Sequence, residues 1–387
     1  MNIRLFSPYV GTEELDSLKG AFDRKWLGLG PKVNEFEEAW KNFIGCTEAI
    51  ALNSATAALH LALAVFKFKE GKKVLVPSLT FSSTASAILY NKLIPVFVDS
   101  DPVTLTMDVE DLERKYDQDC VAVMPVHYAG HPADVKHIVS WAKQKNLKVI
   151  EDCAHTIGCS YEDKPLGLWG DIGCFSFEEK KIMTTGDGGM ICSMDKDLLK
   201  DVKAMRWVGI DKDNWKTAKT YVDKNTDAMH WFYELNVLGY KYNMNDIAAS
   251  IGLVQLNKLN KMNEKRSKLV AHYKSLIENI NNVEMLLPFD PDNYVYQMFG
   301  IRVDNKEETI LYLKDKGIAT GCHYTPLSTQ PLFSEWGYNC PYIEKEIDRL
   351  ITLPLHVGLT IEEVEYICEH LQILQSNKKN SPVLIQN

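Results

Sequence analysis

The segment Gly173–Gly189 has the sequence GCFSFEEKKIMTTGDGG. It begins with a short apolar run typical of a buried strand, then presents two lysines, and turns back through glycines into another apolar run. Upstream, a similar apolar run leads into an acidic pair that ends in Asp152. A strand-borne acid, a strand-borne serine at Ser176 and a lysine at Lys181 therefore follow one another along the chain.

Short apolar runs of this kind alternate with helical stretches through the first half of the chain. Their continuous hydrophobicity predicts strands that helices cover on both faces, and therefore an α/β fold with a mostly parallel, doubly wound sheet. The expected strands are 74–77, 95–99, 121–125, 148–152, 174–177 and 189–192, and the expected helices include 55–67, 82–90 and 135–145.

A change of composition follows residue 256. The charged stretch 257–266 predicts an exposed connecting helix, and a strand at 299–303 and a helix at 309–316 follow it. We therefore expect a large domain over 1–255, with an N-terminal arm, and a smaller α+β domain over 256–387.

The bulk composition excludes several classes of protein. The net charge of -9 lacks the basic surplus of a non-specific nucleic-acid binder. No signal peptide and no apolar run of transmembrane length is evident, so we expect no membrane partner. The nine cysteines are scattered without a CxxC pair, which favours free thiols in a reducing cytoplasm over disulfides or a metal site.

The candidate functional residues converge on one edge of the expected sheet. Ligands of open parallel sheets bind at the carboxyl ends of the strands, and Phe81, Asp152 and Lys181 each follow or end a strand. A lysine amine can condense with the aldehyde of pyridoxal 5′-phosphate (PLP), and a nearby aspartate can keep its pyridine nitrogen protonated. The pattern therefore favours a PLP site, in which Lys181 needs a lowered pKa to attack at neutral pH.

Other residues fit parts of this cofactor, although each also has an ordinary structural explanation. Ser54, Ala55 and Thr56 open an alanine-rich helix and predict a phosphate seat, or simply an N-cap. Phe81 predicts a ring that stacks on the pyridine, or a core residue. His155 predicts a partner for the ring hydroxyl, or a histidine satisfied within the protein. The lysine loop itself could be a surface hairpin.

With these residues the chain resembles the DegT/DnrJ/EryC1/StrS aminotransferases, the sugar-nucleotide branch of fold-type-I PLP enzymes. The resemblance extends over nearly the whole chain and consists of segments in the family order. These segments are 29–37, 54–59, 77–84, 125–130, 151–155, 175–189, 239–256, 323–330 and 353–360.

The resemblance implies a role for each candidate. Lys181 matches the lysine that forms the internal aldimine and then moves protons, with pyridoxamine phosphate as the intermediate. Asp152 matches the partner of the pyridine nitrogen, and His155 stands where the family has glutamine or histidine. Ser176 matches a serine that contacts the phosphate, alongside Ala55 and Thr56, and Phe81 stands where the family places its stacking ring. Ser54, at the start of the same helix, is kept as a phosphate contact from the analysis of the helix start.

Further implications concern the partner subunit and the substrate. Asn243 matches an asparagine that reaches the phosphate of the neighbouring subunit, which implies a homodimer with shared sites. His323 lies in a stretch that the family uses near the substrate. Two departures stand out: Lys180 replaces the usual threonine or serine, and Asp187 replaces a glutamate. Spacing to the flanking strands favours Lys181 over Lys180 as the bonding amine.

The resemblance implies amino-sugar biosynthesis for a surface polysaccharide or glycan. The expected reaction moves an amino group from L-glutamate to a nucleotide-linked keto-deoxysugar, and residues 184–186 favour C4 of a 4-keto-6-deoxyhexose. GDP, UDP and dTDP sugars all remain open. The alternatives are a C3-aminating relative, a PLP-dependent sugar dehydratase, a non-catalytic regulator that binds the cofactor, and a structural α/β protein.

Overall fold

The computed structural model describes residues 1–210, 233, 235–286, 288, 290 and 294–379. Strands are numbered here in chain order. They are β1 (Glu48–Leu52), β2 (Lys73–Pro77), β3 (Ile94–Val98), β4 (Cys120–Val123), β5 (Lys148–Asp152), β6 (Ser160–Tyr161), β7 (Lys164–Pro165), β8 (Ile172–Ser176), β9 (Gly189–Ser193), β10 (Val283–Met285), β11 (Phe299–Val303) and β12 (Leu350–Leu353).

The helices also follow chain order. Within the described residues, none of them is long and apolar enough to cross a bilayer. They are α1 (Thr12–Asp23), α2 (Pro31–Ile44), α3 (Ala55–Ala64), α4 (Ser82–Tyr90), α5 (Val109–Lys115), α6 (Val135–Gln144), α7 (Val202–Met205), α8 (Asp246–Ile277), α9 (Lys306–Asp315), α10 (Pro341–Glu346) and α11 (Ile361–Lys379).

The main sheet has the order β1-β9-β8-β5-β4-β2-β3. The pairs β2–β3, β2–β4, β4–β5 and β5–β8 are parallel, and β9 runs antiparallel to both of its neighbours. The expected mostly parallel α/β sheet is confirmed, and each of the six expected strands is present within two residues. Strand β1 was not among the expected strands, because two of its five residues are alanine, which is depleted in strands.

Both faces of this sheet are covered, as continuous apolar strands require. In β1, Ile50 and Leu52 join the core formed with α3 and α4, whereas Ala49 and Ala51 join the core formed with α2 and α8. The alternation follows from the two-residue period of a strand. The main sheet is therefore buried between two layers of helices, and its edge strands β1 and β3 are as buried as its central strands.

A second, antiparallel sheet has the order β10-β11-β12 and packs with α9 and α11 around its own core. Ile3 belongs to this core, and its N–H donates to the carbonyl of Gly317 at 2.8 Å. The expected connecting helix is part of α8, although Leu259 and Met262 are buried rather than exposed. The predicted boundary between residues 255 and 256 falls inside α8 and stays a prediction.

Most of the cysteines are buried. All nine are free thiols, and eight of them are buried, whereas Cys322 is partly exposed. The position of Cys174 and Cys192 inside β8 and β9 agrees with their interpretation as apolar strand residues.

One glycine sets the distance between β9 and the start of α3. A Cβ at Gly189 would lie 2.4 Å from the carbonyl carbon of Ser54 and 2.5 Å from the nitrogen of Ala55. These neighbours are backbone atoms, so they cannot rotate away. The absence of a side chain at this position lets the first turn of α3 lie directly against the sheet edge.

We predict that Gly189→Ala destabilises the protein, by about 1–3 kcal/mol, because the added methyl overpacks two backbone segments. Denaturant unfolding followed by far-UV circular dichroism measures this change. Gly28→Ala is the matched control, since a Cβ there meets nothing within 4 Å. Equal stability of the two variants would contradict the prediction.

Candidate active site

A cavity of about 510 Å³ opens at the carboxyl edge of the main sheet. It lies beside the ends of β5 and β8 and the first turns of α3 and α4. Asp152 pairs in register with Cys174, so Ser176 lies two residues further along the adjacent strand. Nine of the predicted site residues line this cavity: Ser54, Ala55, Thr56, Phe81, Asp152, His155, Ser176, Lys181 and His323.

The first turn of α3 forms one wall of the cavity. Ser54 is the N-cap of α3, and its hydroxyl accepts a hydrogen bond from the N–H of Ala57 at 3.1 Å. The first N–H groups of a helix have no intrahelical acceptor, so those of Ala55 and Thr56 are available to an anion. The N-cap and the phosphate seat are thus compatible interpretations of the same residues.

Asp152 lies at the floor of the cavity and is 4% exposed. Its two carboxylate oxygens accept hydrogen bonds from the Thr84 hydroxyl at 2.8 Å and the Ala154 N–H at 3.1 Å. Burial raises the pKa of Asp152, while these bonds and the positive charge of Lys181 act in the opposite direction. The orientation of the carboxylate is therefore fixed before any ligand binds.

The neighbouring residue, Glu151, points to the other face of the strand and anchors the loops behind the site. It is fully buried, and its oxygens accept hydrogen bonds from the N–H groups of Gly167 and Gly170 at 2.9 and 2.7 Å. The Nε2 atom of His127 lies 3.1 Å from the same carboxylate. Glu151 thereby joins β5 to the loop after β4 and to the loop before β8.

His127, Glu151 and Cys153 also offer three metal-ligand atoms within 4.8 Å of one another. However, the Nδ1 atom of His127 accepts the Ala133 N–H at 3.1 Å, and Glu151 is occupied by backbone donors. Burial raises the pKa of the Cys153 thiol well above its usual value, which disfavours the thiolate that a metal requires. We interpret this cluster as a structural hydrogen-bond network.

Lys181 lines the cavity, and its amine is desolvated. Burial lowers the pKa of Lys181 to about 8, although the negative charge of Asp152 counteracts part of that decrease. The loop is held by a hydrogen bond from the Lys181 N–H to the carbonyl of Glu178 at 2.9 Å. The side chain of Lys180 is exposed. The two adjacent lysines thus differ in environment, and only the amine of Lys181 is desolvated.

Phe81 is not a core residue. It is 56% exposed, forms the N-cap of α4 and lines the cavity. Its ring centroid lies 5.6 Å from that of Tyr324, with the planes tilted by 58°. An exposed aromatic ring at a cavity wall is suited to cover a flat ligand.

His155 is a buried, neutral histidine. Its Nδ1 atom accepts the Ala129 N–H at 3.3 Å, which leaves the ring proton on Nε2, 3.2 Å from the Tyr324 hydroxyl. Burial lowers the pKa of His155 well below its usual value, and the positive charge of Lys181 adds to this effect. Both explanations offered by the sequence therefore apply, since His155 forms hydrogen bonds within the protein and also lines the cavity.

His323 also lines the cavity. Its Nδ1 atom lies 2.8 Å from the Thr352 hydroxyl, and its carbonyl accepts a hydrogen bond from the Tyr128 hydroxyl. Burial lowers the pKa of His323 to about 4, helped by the charges of the two lysines. His323 is therefore an uncharged side chain that is held in place by residues of β12 and of the loop after β4.

Asn243 does not line this cavity. It pairs with Leu52, and its Nδ2 atom donates to the Met244 carbonyl at 3.1 Å. In the described part of the chain, its buried Oδ1 atom has no hydrogen-bond partner. The expected contact of Asn243 with a partner subunit stays a prediction.

Tyr324 and Gln297 line the cavity but were not found by the sequence analysis. The side-chain Nε2 atom of Gln297 donates to the Lys180 carbonyl at 2.7 Å, and the backbone N–H of Gln297 donates to the Ala129 carbonyl at 3.0 Å. Gln297 thereby connects the lysine loop to the segment that precedes β11. The sequence signal for Tyr324 is its position directly after the candidate residue His323. No motif in the sequence marks Gln297 as a site residue.

The residues around the cavity fit PLP. Free helix N–H groups and the Ser176 hydroxyl suit a phosphate, the exposed ring of Phe81 suits a flat heterocycle, and the desolvated Lys181 amine suits an aldehyde. The fixed carboxylate of Asp152 suits a protonated pyridine nitrogen.

Comparison with known proteins supports this assignment. The sequence profile of the DegT/DnrJ/EryC1/StrS aminotransferase family matches residues 8–372. GDP-perosamine synthase of Escherichia coli O157:H7 is 34% identical over 381 residues, which cover 97% of this chain and 99% of that protein. Spore coat polysaccharide biosynthesis protein SpsC of Bacillus subtilis is 32% identical over 373 residues, 94% of each chain.

A solved structure gives the same result for the fold. The structure of Spr1654 from Streptococcus pneumoniae, described as its PLP-form, has a TM-score of 0.87 and 27% identity. The match covers 97% of this chain and 99% of that chain.

We predict that Lys181 titrates well below an ordinary lysine. In cofactor-free protein, trace acylation across a pH series, read by peptide mass spectrometry, should show Lys181 reactivity rising with a midpoint near about 8, since the neutral amine reacts. Asp152→Asn should move the midpoint to lower pH, because the carboxylate that stabilises the ammonium form is removed. A midpoint like that of exposed lysines would contradict the predicted burial.

Proposed function

The chain belongs to the DegT/DnrJ/EryC1/StrS aminotransferase family, and on that premise we propose that it transfers an amino group from L-glutamate to a nucleotide-linked keto-deoxysugar. The observation that carries the proposal is the meeting of Lys181 and Asp152 in one cavity at the sheet edge. An aminotransferase needs an amine nucleophile and a group that holds the pyridine nitrogen protonated, and these two residues supply both.

Lys181 is proposed as the residue that bonds covalently to the PLP aldehyde. When bound, the cofactor supplies the electron sink that stabilises negative charge at the reacting carbon. The phosphate would be held by Ser176 and by the first turn of α3, where Ser54, Ala55 and Thr56 lie. Phe81 would cover the ring, and the Nε2–H of His155 lies where it can donate to a ring substituent.

The electrostatics of the cavity suit proton transfer by Lys181. A general base is most effective when its pKa lies near the working pH, and burial lowers the pKa of Lys181 to about 8. Its neutral amine can therefore accept a proton from a substrate carbon and return it at the adjacent position. His155 and His323 stay neutral, so they orient groups by hydrogen bonding and do not compete for that proton.

The sugar substrate is proposed from the relatives. One relative is named GDP-perosamine synthase, and another is named for spore coat polysaccharide biosynthesis. Together with residues 184–186, these names favour amination at C4 of a 4-keto-6-deoxyhexose, for use in a surface polysaccharide. Asn243 lies outside the cavity of its own subunit, and we propose that it completes the site of a second copy in a homodimer.

We also propose that residues 1–255 and 256–387 act as a large and a small domain. The main sheet lies entirely within the first range and the three-stranded sheet within the second. The cavity takes residues from both ranges, since Gln297 and His323 join the edge of the main sheet.

The reaction is tested by incubating the holoenzyme with L-glutamate and a panel of GDP-, UDP- and dTDP-linked 4-keto- and 3-keto-deoxysugars. We expect mass spectrometry to detect an aminated C4 product and an equal amount of 2-oxoglutarate. Loss of water from the sugar without amination would instead favour a dehydratase. Failure with every sugar, with the cofactor bound, would contradict the proposal.

A second experiment identifies the bonding amine. Borohydride reduction of the holoenzyme, followed by peptide mass spectrometry, should place the cofactor on Lys181. Lys181→Ala should lower kcat by several orders of magnitude, because both the nucleophile and the proton carrier are lost. Lys180→Ala should keep the cofactor attached to Lys181. Attachment to Lys180 in the wild-type protein would show that the assignment is wrong.

A further inference from the structure

The cavity has an unusual balance of charge for a site that receives anions. Among the described residues that line it, Lys180 and Lys181 are the only lysines or arginines, whereas Asp152, Glu178 and Asp187 are acidic. Under the proposed function, both substrates are anions, an amino-acid carboxylate and a sugar nucleotide. A cation at the wall is therefore needed to offset the acidic groups that an incoming anion meets.

Lys181 is assigned to a different task. Its amine is the proposed nucleophile and proton carrier, and both tasks use the neutral form of the amine. The histidines of the cavity are neutral as well, because burial lowers the pKa of His155 and of His323. The free N–H groups at the start of α3 are assigned to the phosphate of the cofactor. Among the described residues that line the cavity, Lys180 is the remaining lysine or arginine.

The position of Lys180 is well defined by its backbone. Its N–H donates to the Glu178 carboxylate at 3.0 Å, and its carbonyl accepts the Nε2–H of Gln297 at 2.7 Å. Gln297 is 2% exposed. Its backbone N–H donates to the Ala129 carbonyl, and its backbone carbonyl accepts a hydrogen bond from Arg266. The backbone at position 180 is thus fixed from both sides while its side chain stays exposed at the cavity.

The ammonium group of Lys180 is available to a ligand. In the part of the chain that the structure describes, no carboxylate forms an ion pair with it. Its charge nevertheless reaches the centre of the cavity, because it contributes to lowering the pKa of both Lys181 and His323. A long, flexible lysine side chain on a fixed backbone suits contact with an anionic group of a ligand in the cavity.

We propose that Lys180 forms an anion subsite of the cavity and binds the charged group of a substrate. The charged group is the carboxylate of the amino donor or the diphosphate of the sugar nucleotide. This inference rests on the proposed function. It gives a binding role to Lys180, which stands where the family usually has threonine or serine.

Equilibrium titrations of the holoenzyme test this subsite without turnover. Two kinds of non-reacting probe are used, the dicarboxylate glutarate and a nucleoside diphosphate (GDP, UDP or dTDP), and their binding is followed through the absorbance of the bound cofactor. We expect Lys180→Met to weaken at least one probe by about ten- to hundredfold, the loss of one charge-assisted hydrogen bond. The probe that weakens identifies which substrate group Lys180 binds.

Two matched variants distinguish charge from shape and position. Lys180→Arg keeps the charge and should bind both probes within about threefold of wild type, since the cost of altered geometry is smaller than that of lost charge. Lys200→Met removes an exposed lysine outside the cavity and should change neither affinity. In turnover assays, Lys180→Met should raise the KM of the corresponding substrate far more than it lowers kcat.

Unchanged affinity for both probes in Lys180→Met would overturn the subsite. Equal losses in Lys180→Met and Lys180→Arg would also overturn it, because the effect would then not follow charge. A failure of the proposed function looks different, since wild-type protein would bind the probes but aminate none of the sugars.

Discussion

The chemistry of this site depends on the burial of Lys181 and Asp152 in a single cavity. Burial disfavours the charged form of each group, whereas each charge stabilises the other. The balance leaves the lysine with a pKa of about 8, within reach of neutral conditions. At neutral pH an exposed lysine of ordinary pKa would be almost fully protonated and unreactive. A buried lysine without Asp152 nearby would lack the carboxylate that binds the pyridine nitrogen of the cofactor.

Hydrogen bonds and close packing outside the cavity hold Asp152 and Lys181 in place. Asp152 ends a strand whose preceding residue, Glu151, is fixed in a buried network with His127 and two glycine N–H groups. On the lysine side, Gln297 and Glu178 hold the backbone of the loop. Gly189 lets the first turn of α3 approach the sheet edge. The functional side chains are thus placed by hydrogen bonds and close packing around the main sheet, with contributions from the segment before β11.

Local pattern in the sequence predicted much of this architecture. The central strands are short and continuously apolar, so they could be located to within two residues, and the rule that ligands bind at carboxyl ends brought together Asp152, Lys181 and Phe81. Residues whose role depends on distant packing could not be found in this way. Gln297 contacts Lys180 because the fold brings together segments that are far apart in the sequence. Whether Phe81 faces a ligand or the core depends on its exposure, which tertiary packing determines. Ile3 packs with the C-terminal sheet for reasons that no local pattern contains.

The central claim is that Asp152 holds a protonated pyridine nitrogen opposite the amine of Lys181. Nitrogen NMR of the protein reconstituted with PLP that is isotope-labelled at the ring nitrogen measures this directly. The account predicts a protonated ring nitrogen in the wild-type protein at neutral pH and an unprotonated one in Asp152→Asn. An unprotonated ring nitrogen in the wild-type protein, or the same signal in both proteins, would contradict it.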